Sequence, residues 1–143
     1  MTSAPGKTYL LVVGISSVIF GSISVVMSLN GFFNLDRATP TAIDMSWNVY
    51  YTIILIGALF RILVGIMGIA YCKHLEKAAL LKTLGIIYVV YTLFYGVLTN
   101  MIIYGNLTDG FGTSLAIALI IPALYILGAQ KNLTAYTESQ SSK

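Results

Sequence analysis

Residues 51–72 read YTIILIGALFRILVGIMGIAYC. Apart from Arg61 the stretch is uncharged, and it is long enough to cross a bilayer as one helix. An arginine near the middle of a spanning helix costs roughly 2.5–3.5 kcal/mol on insertion scales. No Asp or Glu lies inside any apolar segment of the chain to neutralise it. The guanidinium therefore calls for a polar cavity, a set of neutral acceptors, a lipid phosphate or an anion from outside the protein.

Composition sets the same class. Of 143 residues, 57% are hydrophobic and only 9% charged, with a mean hydropathy of +0.86. Soluble domains carry about 25% charged residues, so the sequence reads as an integral membrane protein in the lipid bilayer. The net charge of +3 comes from basic residues flanking the apolar segments. No basic patch interleaved with exposed aromatics points to nucleic acid. The single cysteine, Cys72, excludes an intrachain disulfide and a CxxC motif. It is read as a small apolar residue at a helix end, with palmitoylation as the alternative. The apolar run after Lys7 extends to about Leu29, beyond a signal-peptide core of about 7–15 residues, and reads as a retained helix.

Four spanning helices are expected, at 8–29, 49–72, 79–104 and 112–129. The fold class is thus all-α, a four-transmembrane-helix bundle occupying residues 1–132. Residues 133–143 form a polar C-terminal tail, expected to be disordered at its extremity. Lys7, Lys73, Lys77, Lys82, Lys131 and Lys143 fall on one side. Arg37 stands alone among Asp36, Asp44 and Asp109 on the other. This bias places both termini in the cytoplasm. Trp47, Tyr50, Tyr51 and Tyr104 then belong to the outer interface and Tyr71 to the inner one. A faint parallel repeat of two helical hairpins pairs Gly14, Ile15 and Val18 with Gly85, Ile86 and Val89. It also pairs Asn34-Leu35 with Asn106-Leu107, and Lys73-His74-Leu75 with Lys131-Asn132-Leu133.

The helix faces carry the rest of the information. Gly14, Ser17, Gly21, Ser24 and Ser28 hold one face of the first helix, at alternating spacings that admit close backbone approach. This stripe is read as a tight helix contact, with a hydroxyl-lined conduit as the alternative. In the second helix Gly57, Arg61, Gly65 and Gly68 share a row read as a helix-packing face, so Arg61 is expected to face inward, the glycines either giving its side chain room to snorkel or widening a cavity around it. The third helix aligns Tyr88, Tyr91, Thr92, Tyr95 and Thr99, with Asn100 beside them. Buried hydroxyls need partners, and pairing them with Arg61 would satisfy both. Pro122 frees the carbonyl of Ala118 as a further acceptor. Arg61, Tyr88, Tyr91, Tyr95, Thr99 and Asn100 are the candidate ligand-binding or buried polar site.

Catalytic chemistry finds little to use. His74 lies in a short basic loop and reads as a solvated residue. No HExxH, P-loop or GxSxG motif occurs, so no catalytic residues, metal or cofactor are expected and the chain is read as non-enzymatic. Asp36, Asp44 and Asp109 are read as turn formers rather than as a weak cation site. Of the two glycosylation sequons, that at Asn132 is expected on the cytoplasmic side and that at Asn106 in a loop too short for the modifying machinery.

Two stretches carry a resemblance. IPALYILGAQKN (121–132) resembles the closing helix of small four-helix membrane proteins of Gram-positive bacteria. LVGIMGIAY (63–71), followed by a Lys/Glu-rich turn, is similar to their second helix and inner loop. The resemblance implies the four-helix topology and a bacterial inner membrane; it implies no activity. Two functional expectations follow. The first is a non-enzymatic interaction protein, an accessory subunit or immunity-type protein docking a membrane partner through its small-residue faces. The second is a homo-oligomeric channel or transporter for an anion or anionic small molecule centred on Arg61. An enzyme acting on lipid headgroups is a distant third.

Overall fold

The computed structural model describes residues 4–34 and 46–141. It consists of α1 (Lys7–Phe33), α2 (Trp47–Tyr71), α3 (Ala78–Tyr104) and α4 (Phe111–Ser141), with a 3₁₀ turn, Leu75–Lys77, leading into α3. All four helices are long and apolar enough to cross a membrane. α1 packs chiefly on α2, α3 on α4, and α4 closes the bundle against α1. α3 stops at Gly105, whose φ of 73° lets its amide turn back to the Met101 carbonyl at 2.9 Å.

The fourth helix departs from expectation. It continues to Ser141 instead of yielding to a polar tail after Ala129. Residues 130–141 contain neither Gly nor Pro, and Asn132 is buried with Leu133, Ala135 and Tyr136 partly covered. A packed side thus carries the helix onward. At about 1.5 Å per residue α4 runs to roughly 46 Å, well beyond a hydrocarbon core of about 30 Å. Lys131, Asn132 and Leu133 lie inside this helix, whereas Lys73, His74 and Leu75 form the turn after α2.

The α1–α2 hairpin is built on small residues in antiparallel register. A Cβ added to Gly14 would meet the Gly65 carbonyl at 2.8 Å, and one on Gly65 would meet the Gly14 carbonyl at 2.6 Å. Two turns along, Gly21 sits as tightly against Ile62 and the Ala58 carbonyl. The backbones touch because no side chain separates them. Gly14, Ser17, Gly21 and Ser28 are buried and Ser24 is half-buried. The stripe is therefore a contact within the chain.

Packing is uneven along the bundle axis. We call the end carrying Lys7, Lys73, Lys77 and Lys131 the basic end. In that half Leu10, Val13, Val64, Cys72, Leu81, Tyr88, Tyr125 and Ala129 form one core. The Tyr125 hydroxyl donates to the Val64 carbonyl at 3.3 Å, and its ring lies against Gly68. Asn132 is fully buried; its Oδ1 accepts from the Gly6 amide at 2.7 Å and its Nδ2 donates to the Cys72 carbonyl at 3.0 Å. One side chain thereby serves the start of α1 and the end of α2. Toward the opposite end, α4 buries nothing before Pro122 and α2 nothing before Gly57.

Gly65→Val should reduce unfolding free energy in detergent by about 1–3 kcal/mol through overpacking. Asn132→Leu should reduce it by about 1–3 kcal/mol for each orphaned backbone group, Gly6 N–H and Cys72 C=O. An unchanged denaturation midpoint for either variant would contradict the contact assigned to it.

Candidate functional site

Arg61 leaves α2 facing α3, and its side chain runs toward the α2 N-terminus, as the tilt of helical Cα–Cβ bonds favours. Its Cζ lies 5.5 Å from the centroid of the Tyr95 ring. Behind that ring stands an aromatic column. Tyr95 stacks on Tyr91 at 5.5 Å, Tyr91 packs on Phe60 at 5.0 Å, and Phe60 meets Tyr88 edge-on at 6.1 Å. The guanidinium thus rests on a π face. No hydrogen bond or acidic partner meets Arg61 among the described residues, and its buried Nε has no acceptor.

Energetics makes this arrangement incomplete. A cation–π contact contributes about 0.5–2 kcal/mol, whereas the charge costs roughly 2.5–3.5 kcal/mol to insert. Tyr95 alone leaves a deficit.

The guanidinium borders a half-open cavity of about 210 Å³ among α2, α3 and α4. Thr92, Tyr95, Gly96, Thr99 and Asn100 line it from α3, and Phe111, Ser114, Leu115 and Ala118 from α4. A second cavity of about 520 Å³ opens among the far ends of α1, α2 and α3, lined by Ser24, Ser28, Trp47, Tyr50, Tyr51 and Tyr95 among others. Tyr95 is a wall of both.

Of the candidate residues, Tyr95, Thr99 and Asn100 share the cavity with Arg61, whereas Tyr88 and Tyr91 do not line it, and none gives the guanidinium the expected hydrogen bond. The Tyr88 hydroxyl lies 3.4 Å from Ser17 Oγ. Thr92 and Thr99 donate to the carbonyls of Tyr88 and Tyr95, each at 2.8 Å. Asn100 Oδ1 accepts from the Thr108 amide and hydroxyl, both at 3.2 Å, tying the α3–α4 connection to α3. Ser and Thr hydroxyls in helices bond locally to the carbonyl one turn back, which removes them as donors and leaves their lone pairs.

The glycines of α2 also serve other neighbours. A Cβ on Gly57 would collide with the Tyr91 hydroxyl, one on Gly65 with α1, and one on Gly68 with Tyr125. None makes room for the guanidinium. The α4 wall was absent from the sequence-based site, although Phe111, Ser114, Leu115 and Ala118 show helical spacing that would have marked a common face. Ala118, whose carbonyl Pro122 leaves without its helical donor, does stand in the wall opposite Arg61.

Elsewhere the candidates are quiet. Asp36 and Asp44 lie outside the described residues, Asp109 is exposed, and no metal-ligating cluster occurs among the described residues. His74 Nδ1 is 3.1 Å from Glu76 Oε1 at the surface. The Glu76 carboxyl is held below its usual range by a hydrogen bond from its own backbone amide, and further by His74. Cys72 is buried. The chain matches no family model, no curated protein and no solved structure.

An uncompensated charge makes a sharp stability prediction. Replacing Arg61 with Met, which fills similar volume without charge, should leave the unliganded protein unchanged or stabilise it by roughly 1–4 kcal/mol. Chemical denaturation in neutral detergent measures this. A clear loss of stability would show that Arg61 already has a strong partner.

Proposed function

We propose that this chain is a non-enzymatic, multi-pass membrane protein of a bacterial inner membrane that binds a single monoanionic group at Arg61. The carrying observation is the buried Nε without an acceptor, beside a cavity of mixed lining that includes Thr92, Thr99, Asn100 and Ser114 and holds no carboxylate among its described lining residues. An anion seated there would supply the missing acceptors in a medium of low dielectric, where charge-assisted bonds are stronger than in water. Arginine's planar fork suits a carboxylate or a phosphate oxygen pair. The lone pairs of Thr92, Thr99 and Ser114 and the Asn100 amide would hold the water or hydroxyls that accompany it.

The positive-inside bias places the basic end in the cytoplasm and the Arg61 cavity toward the outer half. The dense core of the basic half then lies beneath the cavity, which favours a well closed at its floor over a conduit through one subunit. The interaction-protein reading has its surface reduced, because α2 of the same chain already covers the small-residue stripe of α1. An accessory role is therefore better attached to what Arg61 holds than to helix docking through Gly14, Gly21 and Ser28.

Thermal unfolding of purified protein in neutral detergent, titrated with soluble and lipid-borne monoanions, tests the proposal. An anion at a hundredfold excess over its Kd should stabilise the wild type by about 2.7 kcal/mol. The gain should vanish in Arg61→Gln. If every anion shifts both proteins equally, the reading is lost.

A further inference from the structure

We infer that the anion arrives from within the bilayer, as the phosphodiester head of an anionic lipid entering sideways past the outer half of α4. This rests on the proposal that Arg61 binds a monoanion, and it adds the chemical class of the ligand and the route. Between Phe111 and Ile121 no residue of α4 is buried, and side chains become enclosed only from Pro122 onward. Ser114 and Ala118 are both exposed and both line the Arg61 cavity. Ser114 and Ala118 thus form a low sill in that wall, between which and α3 the larger Phe111 and Leu115 reach toward Gly96. The close α1–α4 contacts of Gly6, Tyr9 and Leu10 with Gly128 belong to the basic half, so they do not shut the outer part of this side.

Geometry of the opening selects an amphiphile. Surface that is exposed and small within a spanning segment faces acyl chains, not bulk water. A molecule passing the Ser114–Ala118 sill must keep an apolar part in lipid while its polar part reaches the guanidinium.

Charge narrows the head further. One guanidinium without an acidic neighbour balances one negative charge, as a phosphodiester carries. A terminal phosphate monoester brings about 1.5–2 negative charges, more than the site neutralises. A zwitterionic head would carry an ammonium into a cavity with no carboxylate among its described lining residues. The several hydroxyl and amide groups around Arg61 fit a hydroxyl-bearing anionic head, such as phosphatidylglycerol, better than a bare carboxylate.

Native mass spectrometry of the full chain in neutral detergent separates the alternatives, using phosphatidylglycerol, phosphatidylcholine and tail-less glycerophosphoglycerol as probes. We expect one phosphatidylglycerol retained per chain, with phosphatidylcholine and the tail-less head bound about ten- to hundredfold more weakly. Arg61→Gln should abolish the preference. Ala118→Leu, which raises the sill without touching the charge, should weaken phosphatidylglycerol binding while melting like the wild type; Ser114→Leu supplies the same test at the neighbouring position. Tight, Arg61-dependent binding of the tail-less head, unaffected by either leucine, would overturn lateral entry and leave the anion site standing. Equal retention of all lipids by wild type and Arg61→Gln would overturn both.

Discussion

A guanidinium cannot be neutralised by releasing its proton at any ordinary pH, so the bundle around Arg61 must be organised to keep that charge tolerable. The protein does so without a carboxylate. It sets the cation on the Tyr95 face, aims the side chain along α2 away from the dense core, and leaves a partly polar space beside it. A fully packed far half would strand the charge in hydrocarbon-like surroundings at a penalty larger than the aromatic contact offsets. Open packing there is thus a requirement of the charge.

The basic half bears the corresponding load. Gly14 and Gly65 bring α1 and α2 into backbone contact, and Tyr125 inserts its ring against Gly68 while bonding the Val64 carbonyl. Every buried hydroxyl or amide named there has a partner, which is what a low-dielectric interior demands. Local stability should be graded along the bundle axis, highest near Asn132 and lowest around the Arg61 cavity. Binding sites are commonly drawn from the less stable part of a fold.

Much of this was legible in the residues. Hydropathy located four spans, the spacing of Gly14, Ser17 and Gly21 identified a buried face, and Arg61 stood out as the charge without a counterpart. Pro122 pointed to a freed carbonyl at Ala118, a residue that lines the cavity. Hydroxyl partners were not legible, because Thr92 and Thr99 choose between a distant cation and a carbonyl one turn away, and the nearer acceptor wins. Gly57 is a packing position, as its spacing suggested, but the neighbour it admits is the Tyr91 side chain and not the guanidinium. The run of α4 to Ser141 escaped because polar composition was weighed above the absence of helix breakers and the packed side around Asn132.

The Asn132 side chain couples positions separated by almost the entire polypeptide. The amide of Gly6 and the carbonyl of Cys72 are synthesised long before the residue that bridges them. Only once α4 is in place can Asn132 fasten the beginning of α1 to the end of α2. A chain truncated before Asn132 therefore lacks the clasp that ties these two helices together.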